Sequence, residues 1–291
     1  MNGRFQALAL VTLSVTSALF AWLGAALLGL VTLRKGIGEG VFLLFWGVLA
    51  GAFLYIKLGD LNPLIQLAGT FVLAVVLRQT MSLTVTTLAC IPLGIIFVLL
   101  LLWLSPAMID HVMAAFSELI STLKEQMENS GQIIFLETPS ERLVIGMIGV
   151  ANLSTVILCL FLARFWQATL YNPGGFGSEF RALRYSPVVA FPLAIGFALV
   201  SSIEGYQSWA GFFGLPLTVV GISLVHAKAQ YWTSGTVRLS LFYLVWLVID
   251  WAKLAVLLLA VFDSAYDFRR NWSKENTAVK RRPKDKKSND L

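Results

Sequence analysis

The sequence predicts an all-α protein: a polytopic transmembrane helical bundle of about eight membrane-embedded segments, with one amphipathic helix outside the membrane. Three observations predict it. Apolar runs of roughly bilayer length recur from Phe5 to Phe262. Hydrophobic residues make up 57% of the 291 positions and charged residues only 13%, against about 25% charged in a soluble domain. The net charge is gathered into one short basic segment instead of being spread over a surface. With a mean hydropathy of +0.77, a chain of this size cannot bury its apolar surface in one water-soluble core, so lipid must cover much of it.

The apolar segments are Phe5–Leu33, Val41–Ile56, Leu64–Leu77, Leu83–Leu104, Leu143–Trp166, Val188–Ser202, Phe212–Val225 and Leu239–Phe262. The first is long for one crossing. It is either a helix broken near Trp22–Gly24 or a tight hairpin of two short helices, and it is too long for the apolar core of a signal peptide, so it reads as a retained anchor. The second and third are short for a hydrocarbon core of ~30 Å, and they stand nearly upright or thin the bilayer.

Helix starts are marked by a capping residue before proline at Asn62-Pro63, Ser105-Pro106, Thr138-Pro139 and Ser186-Pro187. The cap accepts from an orphan N–H, and proline lacks the N–H that has no partner there. Thr138 and Glu141 also have the spacing of a capping box. The polar insertion 105–141 contains an amphipathic helix over 106–128. Ile109, Val112, Phe116, Ile120, Leu123 and Met127 form its apolar stripe, and Asp110, Glu118, Lys124, Glu125 and Glu128 its polar face. Helices that lie on anionic lipid are basic. This one is acidic, which favours packing on the bundle or on a partner helix.

Residues 1–268 read as the transmembrane domain and 269–291 as a disordered basic tail. Nine of the 22 Lys and Arg but only three of the 16 acids lie in the tail, so it carries the whole net charge of +6. Such a tail is attracted to anionic lipid headgroups. It has no aromatic or glycine pattern for specific nucleic-acid binding. The positive-inside rule places Arg34, Lys35, Arg78, Arg181, Arg184, Lys228, Arg238 and the tail in the cytoplasm. Eight simple crossings cannot satisfy this, because the connection before the last run and the tail after it fall on opposite sides. One element must be re-entrant, or one basic loop must lie outside.

The candidate binding residues are Glu204, Asp250, Lys253 and Arg164. Asp250 and Lys253 lie inside the last apolar run at i, i+3 and neutralise each other on one helix face. A charge at mid-bilayer is a functional candidate by default, and the alternative is a structural ion pair. Glu204, among Tyr206 and Trp209 at a membrane end, rims a ligand pocket or belongs to an aromatic belt. Arg164 is a further ionisable partner. Asn172–Arg184 joins a glycine-rich turn to a short amphipathic helix, with Arg181 and Arg184 offered to phosphates or the whole serving as an interfacial connector. Cys90 and Cys159 pack as small hydrophobes. His111 and His226 lack metal-site spacing, and no nucleophile elbow or phosphate loop occurs. No enzymatic activity, metal or cofactor is expected.

The segments Asn172-Pro173-Gly174-Gly175-Phe176-Gly177-Ser178-Glu179-Phe180-Arg181-Ala182-Leu183-Arg184, Leu30-Val31-Thr32-Leu33-Arg34-Lys35-Gly36 and Asp263-Ser264-Ala265-Tyr266-Asp267-Phe268-Arg269-Arg270 resemble the YybS-like family of bacterial membrane proteins over nearly the whole chain. That family is similar in fold to the substrate-binding S components of energy-coupling-factor transporters. The resemblance implies a helical bundle that holds a small molecule, without specifying the ligand.

The expected protein is thus a multi-pass, non-catalytic component of the bacterial cytoplasmic membrane with a cytoplasmic C-terminal tail. It captures a small, amphipathic solute between helices, with Glu204, Asp250 and Lys253 lining the polar centre. The alternative is a membrane scaffold that holds a membrane-protein partner through the acidic helix and the tail.

Overall fold

Apolar side chains dominate the helix faces that meet no other part of the protein. A computed structural model describes residues 3–17, 19–130 and 137–272, and among them every regular element is helical. In chain order the helices are α1 (Arg4–Val15), α2 (Ala21–Lys35), α3 (Ile37–Leu58), α4 (Asn62–Thr80), α5 (Leu83–Leu88), α6 (Cys90–Leu104), α7 (Pro106–Asn129), α8 (Glu141–Tyr171), α9 (Gly175–Ala182), α10 (Pro187–Ser201), a 3-10 turn at Gln207–Ala210, α11 (Gly211–Ala229), α12 (Gly235–Val248) and α13 (Asp250–Tyr266). Five helices or helix pairs are long and apolar enough to cross a membrane, and up to seven if each sharply bent pair counts as one span. The protein is therefore an all-α, membrane-embedded helical protein. Only 17% of the best apolar window of α3 is buried, and Phe45, Phe53 and Ile56 project outward. In water that surface would drive aggregation, whereas in hydrocarbon it is the contact face.

Two compact units are present. The first comprises residues 1–180 and 193–216, the second residues 181–192 and 217–291. Pro192 and Pro216, each inside a helix, mark two of the boundaries. Proline removes a backbone donor and clashes with the preceding turn, so it weakens the helix locally.

In the first unit α2, α4 and α8 pack on one another, with α1 and α3 on α2 and α6 on α8. Close approach rests on small residues, as in most membrane bundles. A Cβ at Gly29 would meet Ala163 and Thr70 at 3.1 Å. Polar ties fix the register. Asn152 Nδ2 donates to Asn62 Oδ1 at 2.8 Å, joining α8 to the start of α4. The Tyr55 hydroxyl donates to the Leu104 carbonyl. The first apolar run is two helices, broken between Val15 and Ala21 and not near Trp22–Gly24, and α1 packs on α2. Arg4 and Glu39 form an ion pair, so the starts of α1 and α3 lie together.

Helix starts depart from the expected caps. α4 begins at Asn62 itself, whose N–H is accepted by Asp60 Oδ1 at 2.9 Å. α8 begins at Glu141, where Ser140, not Thr138, accepts from the Leu143 N–H. Proline directly after a polar residue fixes φ, but the residue that caps is whichever side chain reaches a free N–H. At Pro106 and Pro187 the helices start at the proline as expected. α7 matches the predicted amphipathic helix to within a residue, and Ile109 is its one fully buried side chain.

In the second unit the last apolar run is divided. Ile249 is extended, and α12 and α13 are bent by 115°. α11 and α13 touch so closely that a Cβ at Gly221 would lie 2.1 Å from the Val256 carbonyl oxygen. Lys228 Nζ sits 4.5 Å from the centre of the Trp272 ring, so the end of α11 and the segment after α13 lie together. Residues 269–272, taken above as the start of the tail, continue in a helix. The remainder of the tail, 273–291, lies outside the described residues.

Gly221→Val should lower the unfolding temperature by an amount corresponding to about 1–3 kcal/mol of overpacking or more, since backbone cannot yield as a side chain does. Gly38→Ala, with nothing near the added carbon, should leave it unchanged. Thermal unfolding in detergent checks both.

Candidate functional site

The ends of α2, α4 and α8 converge in the first unit. A helix end exposes carbonyls that the helix cannot satisfy itself, and at the end of α2 side chains from α4 and α8 cover them. Arg78 Nη1 donates to the Leu33 carbonyl at 2.5 Å and to that of Thr32 at 3.4 Å. Gln167 Nε2 donates to the same Leu33 oxygen at 3.2 Å. A cation there also complements the negative ends of the helix dipoles. Beside them α9 delivers Glu179, which accepts from Arg164 Nε at 3.0 Å, while Arg164 Nη1 donates to Gln167 Oε1 at 3.0 Å. Arg164 is only 14% exposed. Phe176 and Phe180 seat α9 against Phe161 of α8.

These groups frame a cavity of about 310 Å³ lined by Leu33, Leu77, Arg78, Met81, Arg164, Gln167 and Glu179. That is within the size range of small-molecule pockets. Two arginines and one carboxylate leave one uncompensated positive charge in the wall. Arg34 stacks on Tyr171 nearby at 4.9 Å. Leu33, Arg34, Tyr171 and Glu179 come from or adjoin two of the three segments singled out in the sequence.

Of the predicted site residues, Arg164 alone lines this cavity. Glu204 is exposed in the turn after α10 and borders a different hollow with Ser140, Arg142 and Gln207. The surrounding ring contacts, Arg142 over Tyr206 and Tyr206 against Trp209, are those of an aromatic rim. Asp250 and Lys253 pair at 2.6 Å, but their side chains are 90% and 46% exposed. They sit at the bend before α13, not in the interior of the second unit.

The buried charge of the second unit is elsewhere. Asp263, on α13, is fully buried. Arg269 Nε and Arg184 Nε lie 3.3 and 3.8 Å from its Oδ2, and Phe268 donates its N–H to Oδ1 at 3.0 Å. Arg184 also meets Asp267 at 3.2 Å and donates to the carbonyls of Asp263 and Ser264. Arg269 donates to Ser223 Oγ and to the Arg181 carbonyl. Two cations and two anions balance. Burial lowers the affinity of the Arg269 guanidinium for its proton and Asp263 opposes this, and at accessible pH it stays charged. Arg184, offered to phosphates in one of the two readings of Asn172–Arg184, is an internal tie.

Among the described residues no three His, Cys, Asp or Glu side chains gather as metal ligands. Cys90 and Cys159 are buried thiols, and Cys159 donates to the Trp22 carbonyl.

Asp263→Leu leaves two guanidinium groups without their buried partner, and should cost about 3–5 kcal/mol. Asp250→Asn breaks a pair whose side chains are 90% and 46% exposed and should cost clearly less. Unfolding curves of the purified variants compare them, and equal effects would refute the distinction between the pairs.

Compared with protein-family models, with curated proteins and with solved structures, the chain matches none.

Proposed function

We propose that the protein is a non-catalytic membrane component that captures a small amphipathic solute at the converging ends of α2, α4 and α8, in the manner of a transporter S component. The cavity of about 310 Å³, lined by two arginines, a glutamine and a carboxylate together with Leu33, Leu77 and Met81, carries this reading. A wall with both characters suits a ligand that is itself part polar and part apolar. The likeness of residues 30–36 and 172–184 to the YybS-like family fits, since both segments border the cavity.

The reading includes a topology in a bacterial cytoplasmic membrane. α3, α4, α5–α6, α8, α10 and α11 cross, and α1–α2 and α12–α13 are hairpins that enter and return. The Arg4–Glu39 pair and the Lys228–Trp272 contact support this, because each brings both ends of a hairpin to one level. α12, 14 residues or about 21 Å long, is also too short to span a ~30 Å core alone. Arg34, Lys35, Arg78, Arg181, Arg184, Lys228 and the tail then all face the cytoplasm, and the parity conflict disappears.

A second reading, a scaffold for another membrane protein, is favoured by one observation. α7 carries an acidic face over 24 residues with only Ile109 buried, leaving most of its length available to a basic partner.

Native mass spectrometry of the purified protein should find a retained small molecule, and Met81→Trp, at the exposed cavity rim, should lower its occupancy. Absence of any retained molecule under gentle detergent would count against capture. For topology, Asn129→Cys should react with an impermeant maleimide from outside intact cells. Ser234→Cys and Asn271→Cys should react only in inverted vesicles. Labelling of those two from opposite sides would rule out the second hairpin.

A further inference from the structure

We infer that the solute seated between α2, α4 and α8 bears a phosphoryl group, which Arg78 holds at the cavity wall. This rests on the capture reading above and names the ligand class for that site.

The donors on the wall are unequally committed. Arg164 gives Nε and Nη2 to Glu179 and Nη1 to Gln167. Gln167 in turn spends its amide on the Leu33 carbonyl. These groups are neutral as a set, and every nitrogen among them is engaged. Arg78 differs. Only its Nη1 is engaged, on the carbonyls that end α2. Its Nε and Nη2 form the other edge of the guanidinium, and no described carboxylate pairs with it.

An edge with two parallel N–H donors matches two oxygens of a phosphoryl group in bidentate geometry. Anchoring of Nη1 by two carbonyls fixes the plane of the group before a ligand arrives, which lowers the ordering cost of binding. The surrounding field has the same sign. Arg34 and Lys35 follow Leu33 directly, and Gly36, whose added Cβ would lie 3.7 Å from Arg78 Nη2, leaves that nitrogen open. Leu77 and Met81, one residue before and three after Arg78, supply an apolar strip on the same wall. A lone inorganic anion would leave that strip wet, whereas the glycerol and acyl portions of an anionic phospholipid would cover it. Basic pockets between membrane helices on the cytoplasmic side recognise such headgroups. A phosphorylated metabolite shares the phosphoryl chemistry, so the experiment separates the two sources.

The full-length protein is reconstituted in phosphatidylcholine nanodiscs with and without phosphatidylglycerol, released gently, and read by native mass spectrometry. We expect one phosphatidylglycerol retained per chain. Arg78→Gln should reduce it roughly tenfold or more, the scale of a lost charge-assisted contact, and Arg78→Lys less. Because Arg78 also caps α2, a second variant avoids that role: Met81→Asp places a carboxylate at the rim, in the left-handed conformation that Asp tolerates, and should repel the ligand equally. Excess glycerol 3-phosphate that fails to displace the adduct assigns the site to lipid, and displacement assigns it to a soluble phosphomonoester. Either result supports the phosphoryl assignment. Retention unchanged in both Arg78→Gln and Met81→Asp overturns it. A retained molecule without phosphorus overturns it while leaving solute capture standing. No retained molecule in any preparation removes both.

Discussion

Hydrocarbon offers no hydrogen-bond partner to a peptide group, and most features of this structure follow from that constraint. Every regular element among the described residues is a helix because a helix satisfies its own backbone. What remains are the ends, with their unpaired N–H and carbonyl groups, and several of the long polar side chains are used there. The Leu33 carbonyl accepts from both Arg78 and Gln167. Arg184 covers the carbonyls of Asp263 and Ser264, and Arg269 that of Arg181. Tyr55 does the same at Leu104. The same groups that close helix ends therefore create the polar places in an otherwise apolar molecule. At these termini Arg164 has every guanidinium nitrogen engaged, whereas Arg78 has only Nη1 engaged.

The two units solve the charge problem differently. In the first, the ion pairs Arg4–Glu39 and Arg164–Glu179 lie at the ends of helices, where water or headgroups reach at least one partner. In the second, Asp263 is sealed, and two arginines and a backbone N–H hold it. A buried balanced cluster adds little stability over apolar packing, but it is intolerant of losing a member. Its contribution is to fix which segments meet: residues 181–184, the end of α11, and residues 263–269.

The sequence discloses the helical class, the run boundaries and the amphipathic α7, because composition and periodicity act locally. It also shows that one basic connection conflicts with simple alternation of eight crossings, and the last apolar run is bent at Ile249. The bend itself left no mark: Val248-Ile249-Asp250 has no proline or glycine. The candidate residues fared unevenly for a related reason. Asp250 and Lys253 stand out because they interrupt an apolar run, yet an interruption at a bend is exposed. Asp263 sits at the end of the same run and looks like a flanking charge. Its partners Arg184 and Arg269 are respectively 79 and six residues away, and no spacing rule connects the first. Arg164 was singled out, but its partner Glu179 lies beyond a turn whose fold the glycines permit without dictating.

The separation of Arg184 from Asp263 also matters while the protein is being made. At about 5–20 residues per second, the ribosome needs roughly 4–16 s to add the 79 residues between them. During that interval the guanidinium of Arg184 must be accommodated by water, by phospholipid, or by the insertion machinery. The second unit therefore cannot close until synthesis has passed Arg269, and a nascent chain stalled in α12 would present an unneutralised cation to the translocation site. Quality control that recognises polar groups stranded beside lipid would have a natural target there.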